Sequence, residues 1–186
     1  MAVLSLRRFF LGWLGFALIS VQTFGAGGAR GLSEQELKAA ALSQVVHFVR
    51  WPASSFLESS TPLVIGIYGP DPFGGVLDDL VRGENVSGHP LQLVHCFTPE
   101  AAENCHAVFI SASNLRSADR LVHELSTRSI LTVTDGQAVE SFGAVIAFTV
   151  ENHRIHIAAN LEAARKANLT LSSKLLRLAE IRKGQP

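Results

Sequence analysis

Two short units of histidine and cysteine, His95-Cys96 and Cys105-His106, contain the side chains best suited to metal chemistry. Imidazole and thiolate groups are the ligands that zinc prefers, and four of them complete a tetrahedral site. His95 and Cys96 are, however, adjacent in a predicted strand, so their side chains point to opposite faces. We therefore expect these four residues to bind no metal.

Sequence motifs of the common enzyme classes do not occur in the chain. It contains no G-x-S-x-G, no H-E-x-x-H and no P-loop, and Gly74-Gly75 is too short to cradle a phosphate. Asp71 fits a turn, and Asp78 and Asp79 fit a helix surface. The chain has 16 basic and 16 acidic residues, a balance that does not favour a nucleic-acid partner. We expect a protein that is not an enzyme and that needs no cofactor.

The N-terminus has the pattern of a secretory signal peptide. Arg7 and Arg8 precede an apolar run at residues 9–24, and small residues follow at 25–29. The run has about 16 residues, whereas a membrane-spanning helix needs roughly 20. We predict a signal peptide at residues 1–26, with cleavage placed approximately, and export to the periplasm. An uncleaved membrane anchor is the alternative.

Cys96 and Cys105 are the two cysteines of the chain. In an oxidising compartment two thiols most simply form one disulfide, which is our expectation, and free buried thiols are the alternative. Cys96 ends one predicted strand and Cys105 begins the next. The two ends meet if those strands are neighbours.

Helices and strands alternate along residues 27–186, which we interpret as one domain. Helices are predicted at 33–49, 73–81, 99–104, 117–126, 161–167 and 172–181. Strands are predicted at 63–68, 91–97, 106–110, 130–134, 144–150 and 154–158, the last two as a hairpin. This order predicts a single-domain α/β sandwich: a mostly parallel or mixed sheet of about six strands, flanked by helices, with the antiparallel hairpin at its edge.

Two groups of residues are candidates for contact with a partner protein. Arg50 and Trp51 end the first predicted helix, and Trp and Arg are over-represented among the residues that dominate binding energy at interfaces. Alternatively, Trp51 closes the edge of the core. Lys174 and Arg177 lie on the last predicted helix, where they face either a partner or only solvent.

Seven segments in order resemble the YfiR-like family of periplasmic proteins, over about residues 34–181. They are 46–52 (VHFVRWP), 62–74 (PLVIGIYG with DPFG), 105–111 (CHAVFIS), 130–135 (ILTVTD), the predicted hairpin, 160–165 (NLEAAR) and 172–179 (SSKLLRLA). The resemblance implies a repressor that binds the periplasmic region of an inner-membrane diguanylate cyclase, or of another membrane receptor, and so lowers cyclic-di-GMP.

The resemblance also implies further partners and a redox link. An outer-membrane lipoprotein sequesters the best-known member, which is a homodimer stabilised by disulfides. This chain departs from that pattern because two cysteines allow only one disulfide within the chain. The alternative function is a periplasmic module that binds a small ligand and reports it to a membrane receptor, which would need a pocket with convergent polar groups.

Overall fold

The computed structural model describes residues 32–58, 60–111, 115–135 and 143–182. The predicted signal peptide, residues 1–26, lies outside these residues. No helix in the part of the chain that the structure describes is long and apolar enough to cross a membrane.

The described residues form six α-helices and ten strands. The helices are α1 (Glu34–Val45), α2 (Val76–Val81), α3 (Pro99–Ala102), α4 (Leu115–Leu125), α5 (Leu161–Lys166) and α6 (Ser173–Leu178). The strands are β1 (Val49–Arg50), β2 (Leu63–Tyr68), β3 (Asn85–Val86), β4 (His89–Cys96), β5 (Ala107–Ile110), β6 (Leu131–Asp135), β7 (Ile146–Glu151), β8 (Arg154–Asn160), β9 (Thr170–Leu171) and β10 (Ala179–Arg182).

Serine residues cap the amino ends of two helices. The Ser33 hydroxyl accepts a bond from the Glu36 amide at 3.2 Å, and the Glu36 carboxylate accepts one from the Ser33 amide at 2.7 Å, which is a capping box before α1. The Ser172 hydroxyl accepts a bond from the Leu175 amide at 3.2 Å and begins α6. These bonds satisfy amides of the first turn that have no partner within the helix.

Eight strands form one mixed sheet in the order β10-β8-β7-β6-β5-β2-β4-β3. The pairs β4–β2, β2–β5, β5–β6 and β6–β7 are parallel. Strands β7 and β8 form the antiparallel hairpin, and β3 pairs antiparallel with β4. The predicted α/β fold with a mostly parallel or mixed sheet and a C-terminal-half hairpin is confirmed. All six predicted strands occur in it.

The sheet separates two apolar layers. One layer packs α1 and α2 against residues such as Ile65, Phe109 and Phe148, and the other packs α3 and α4 against residues such as Val108 and Ile110. The helices on either side leave β2 and β5 covered on both faces, which explains why these strands are continuous apolar runs.

Two predictions about the ends of the fold are wrong. The last helix ends at Leu178, and Ala179–Arg182 forms β10, which pairs parallel with β8. The hairpin is therefore not at the edge, because β10 covers it. The first helix is predicted to reach residue 49, but α1 ends at Val45. Val49 and Arg50 instead form β1, which pairs with Leu171 and Thr170 of β9 in a separate two-stranded sheet.

Candidate functional site

The thiols of Cys96 and Cys105 lie close together in the layer that contains α3 and α4. Both residues are buried, and their sulfur atoms are 3.6 Å apart. A disulfide has a sulfur–sulfur distance of about 2.05 Å, and in this structure both cysteines are free. The predicted disulfide is therefore not formed here, although its two partners are in contact.

The two cysteines meet although the strands next to them are not neighbours. Strand β2 lies between β4 and β5. The sulfurs meet above Gly66 of β2. A Cβ atom on Gly66 would lie 2.7 Å from the Cys105 sulfur and 2.9 Å from the Cys96 sulfur. Only glycine leaves this space.

Burial makes both thiols weak acids. It raises the pKa of Cys96, and it raises the pKa of Cys105 to about 12, with the neighbouring Cys96 adding to the effect. Since the thiolate is the nucleophile, neither cysteine is activated for catalysis in this state.

The two histidines next to these cysteines point elsewhere. His95 is exposed while Cys96 is buried, as expected for neighbours in a strand. The His106 ring donates from Nε2 to the Ser55 carbonyl at 3.0 Å and accepts the Val64 amide at Nδ1, at 3.1 Å. Among the residues that the structure describes, no group of three or more His, Cys, Asp or Glu side chains is arranged to hold a metal.

A stack of three aromatic rings joins the loop between β1 and β2 to the amino ends of β4 and β5. The Phe56 ring lies between His89 and His106, with ring centroids 3.8 and 4.6 Å away and nearly parallel planes. His89 Nδ1 donates to the Thr61 carbonyl at 2.7 Å. Burial lowers the pKa of His106, so the stack contains a neutral imidazole. The sequence does not reveal this cluster because its members are distant in the chain.

Trp51 is a core residue. Its side chain is 8% exposed, and its indole Nε1 donates to the His106 carbonyl at 3.0 Å. This corrects the expectation that Trp51 presents an anchor to a partner, and it agrees with the alternative that Trp51 closes the edge of the core.

Arg50, Lys174 and Arg177 are exposed. Arg50 is on β1, and Lys174 and Arg177 are on α6, which follows β9, the strand that pairs with β1. Arg50 pairs with Thr170 in the β1–β9 ladder, two residues before the cap of α6. Lys174 and Arg177 are three residues apart on α6, so they lie on one side of it. Leu178, the last residue of α6, is 72% exposed. We refer to Arg50, Lys174, Arg177 and Leu178 as the basic surface.

A buried cation fixes α1 against the sheet. Lys38 is 7% exposed, and its ammonium binds Glu34 one turn earlier and Asp135 at the end of β6, where the closest distance is 2.7 Å. Burial lowers the pKa of Lys38, but the hydrogen bonds to the two carboxylates outweigh it, so the pKa is raised. The ion pair therefore remains charged at neutral pH.

Open α/β sheets commonly bind ligands at the carboxyl ends of the strands, where the strand order switches direction. The connections through α2 and α3 lie on opposite faces, so the strand order switches direction between β2 and β5. At the carboxyl ends of these strands the Ser111 amide donates to the Tyr68 carbonyl at 2.9 Å. A Cβ atom on Gly69 would lie 2.7 Å from the Ser111 carbonyl oxygen.

The fold and its order of segments agree with a comparison against family models. The YfiR/HmsC-like model matches residues 35–180, from the first helix to the last strand. The chain belongs to the YfiR/HmsC-like family, whose members are periplasmic and are known as regulators rather than catalysts. No curated protein matches the chain.

Proposed function

We propose that the chain is an exported, non-enzymatic regulator that binds an inner-membrane signalling protein, a diguanylate cyclase, and represses cyclic-di-GMP synthesis. Residues 1–26 serve as its signal peptide, and residues 27–186 are the regulatory domain. The observation that carries the proposal is the family match over residues 35–180, which runs from α1 into β10.

The basic surface is the proposed contact with the cyclase's periplasmic region. Arg50, Lys174 and Arg177 are exposed, and the exposed Leu178 follows Arg177 at the end of α6, where it offers an apolar contact. Interfaces commonly combine an apolar centre with a charged rim, and Arg is enriched at them. The complementary partner surface is acidic with an apolar pocket. Trp51 supports this surface from the core, since it follows Arg50 directly.

The buried thiols add a proposed redox link. Cys96 and Cys105 are in contact above Gly66, so a thiol oxidant of the periplasm that accepts two electrons and two protons would convert the pair to a disulfide after a small closure of the sulfur–sulfur distance. We expect the disulfide to stabilise the packing of α3 on the sheet. An outer-membrane lipoprotein that sequesters the regulator would release the cyclase.

Site-specific photocrosslinking in the living bacterium tests the proposal. A photoreactive amino acid at Lys174 is expected to crosslink to an inner-membrane protein with a periplasmic region and a cyclase domain, identified by mass spectrometry. The matched control is Gln92, an exposed residue of β4 that lies outside the basic surface. Equal capture of the same protein from both positions, or capture of soluble proteins only, would contradict the proposed contact.

A further inference from the structure

One imidazole joins three segments of the chain at the amino end of the sheet. His106 Nε2 donates to the Ser55 carbonyl at 3.0 Å, and Nδ1 accepts the Val64 amide at 3.1 Å. A carbonyl only accepts and an amide N–H only donates, so these two partners fix the neutral tautomer with its proton on Nε2. The His106 amide also donates to the Val64 carbonyl at 2.9 Å, so β2 contacts both the main chain and the ring of this residue.

A proton on Nδ1 is incompatible with these bonds. An imidazolium donates from both nitrogens and accepts at neither, so its Nδ1 proton would point at the Val64 amide proton. The backbone of His106 is held by β2 and by the Leu131 amide, which donates to its carbonyl at 2.8 Å. The ring therefore avoids the opposed donors by turning, and turning breaks its bond to Ser55 and its stack on Phe56.

Residues 53–57, which we call the latch segment, are the part of the loop that the ring contacts. Ala53–Ser55 form one turn of 3₁₀ helix, Phe56 is the middle ring of the stack, and Leu57 is 95% exposed. The Ser55 hydroxyl is buried, and no described group bonds it. An unpaired buried hydroxyl disfavours the closed position of the latch segment. Opening would return this hydroxyl to water and expose Phe56 beside Leu57.

The proton equilibrium of His106 differs between the closed and open positions. Burial lowers the pKa of the closed ring, and the bond to the Ser55 carbonyl only partly offsets this effect. An open, solvated ring has the ordinary histidine pKa of about 6.5. As the pH falls below 6.5 the open position binds the proton first, so acid shifts the equilibrium toward it.

His89, the other histidine of the stack, is bonded differently. Its Nδ1 donates to the Thr61 carbonyl at 2.7 Å, a bond that a protonated ring keeps. A charge on His89 also lowers the pKa of His106. Protonation therefore disrupts the bonds of His106 and not those of His89.

Ionisable groups on the neighbouring segments are neutral, exposed or paired. Burial raises the pKa of Cys105 to about 12, so this thiol is neutral. Glu58 is exposed, and Arg128, which precedes β6, is paired with Glu103 at 2.8 Å. None of these groups supplies a counter-charge that would hold a protonated His106 in the closed position.

We propose that His106 is a proton-controlled latch: its protonation in mild acid releases residues 53–57 from the sheet and exposes Phe56. One proton adds to Nδ1, both hydrogen bonds of the ring break, and no covalent bond changes. Strands β2 and β5 stay paired along the rest of their length, because their own ladder does not involve the ring. The latch does not depend on which membrane protein the regulator binds.

Proton and nitrogen NMR of the full-length exported protein, titrated from pH 7.5 to 4.5, tests the latch. At pH 7.5 the His106 ring is expected to carry its proton on Nε2. As the ring takes up a second proton, at a midpoint below pH 6.5, the nuclear Overhauser cross-peaks between Phe56 and the two histidine rings are expected to disappear. Those between β7 and β8 are expected to remain. A His106 ring that titrates while Phe56 keeps its cross-peaks, or that stays neutral until the β7–β8 cross-peaks are lost, would overturn the proposal.

Two variants identify the residue that takes up the proton. His106→Gln retains a donor for the Ser55 carbonyl but cannot be protonated, so its Phe56–His89 cross-peaks are expected to be the same at pH 7.5 and 4.5. His89→Gln retains His106 and is expected to lose its Phe56–His106 cross-peaks in acid as the wild type does. A transition that persists in the first variant, or that is absent from the second, would contradict the latch. The wild-type titration decides the matter alone if His106→Gln does not fold.

Discussion

The sulfur atoms of Cys96 and Cys105 lie 3.6 Å apart above Gly66, on a strand that separates the two strands they flank. The contact is therefore made over the sheet and not between neighbouring strands. It is close enough for a disulfide to form with small side-chain movements, since the bond needs about 2.05 Å.

We predict one Cys96–Cys105 disulfide in protein purified from the periplasm without reductant. The closed loop is short, so the expected gain in the free energy of unfolding is about 2–3 kcal/mol relative to the reduced protein. Mass spectrometry after alkylation counts the free thiols, and urea denaturation with and without reductant measures the gain. Two alkylated cysteines in the untreated protein would contradict the prediction.

Gly66→Ala is expected to destabilise the reduced protein by about 1–3 kcal/mol, because the new methyl group overlaps both sulfur atoms. The measurement is urea denaturation in the presence of reductant. The control is the same substitution in a C96A/C105A background, where the sulfurs are absent and the cost should largely disappear. If Gly66→Ala lowered the free energy of unfolding equally in both backgrounds, the thiols would not be what limits the space at residue 66.

Trp51→Ala is expected to lower the free energy of unfolding by about 3–5 kcal/mol, as is usual for a buried aromatic residue. Trp51→Phe retains most of the packing but loses the hydrogen bond to the His106 carbonyl, at a cost of about 1 kcal/mol. Phe97→Ala is the control, since Phe97 is 85% exposed. A Trp51→Ala protein as stable as the Phe97→Ala protein would place the indole outside the core.

The stability of the protein is expected to fall in mild acid because of His106. Burial lowers its pKa below the ordinary 6.5, and its Nδ1 must stay unprotonated to accept the Val64 amide. Above pH 6.5 the folded and unfolded states are both neutral at this residue. As the pH falls below 6.5 the unfolded state binds a proton first, so the free energy of unfolding decreases until the pH reaches the folded pKa.

His106→Gln separates this effect from the other histidines. The variant is expected to be less stable at pH 7.5, where the imidazole bonds are lost, but its stability should depend less on pH between 6.5 and 5. Chemical denaturation at a series of pH values measures this slope. His95→Gln is the control, because His95 is exposed and is not a member of the stack. His89 faces the other side of Phe56 and remains in both variants.

Local patterns predict the helices and strands of this fold, and tertiary contacts decide the exceptions. Buried strands such as β2 and the caps at Ser33 and Ser172 are evident in the sequence, because one residue type or one spacing determines them. Strand β10 is missed because Leu175 to Ala179 continue a helical apolar pattern. The edge of β8 offers backbone partners that no local pattern reveals.

The candidate sites are less predictable for the same reason. The proximity of Cys96 and Cys105 depends on a glycine in a third strand, and the His89–Phe56–His106 stack unites three distant segments. Lys38 lies in the first predicted helix among other polar residues, so its burial is not evident from the sequence. Its partner Asp135, nearly a hundred residues later, is not predictable from the sequence.

Cellular cyclic-di-GMP is the measurement that tests the proposed regulation most directly. It is compared in the wild-type bacterium, in a strain without this protein, and in that strain after complementation. The complementing chains are the wild type, the triple variant R50E/K174E/R177E and the control R82E. The control reverses the charge of an exposed arginine at the carboxyl end of α2. Deletion is expected to raise cyclic-di-GMP. The wild-type and R82E chains are expected to restore the low level, whereas the triple variant, at equal abundance, is not. An unchanged level after deletion would contradict repression of a cyclase.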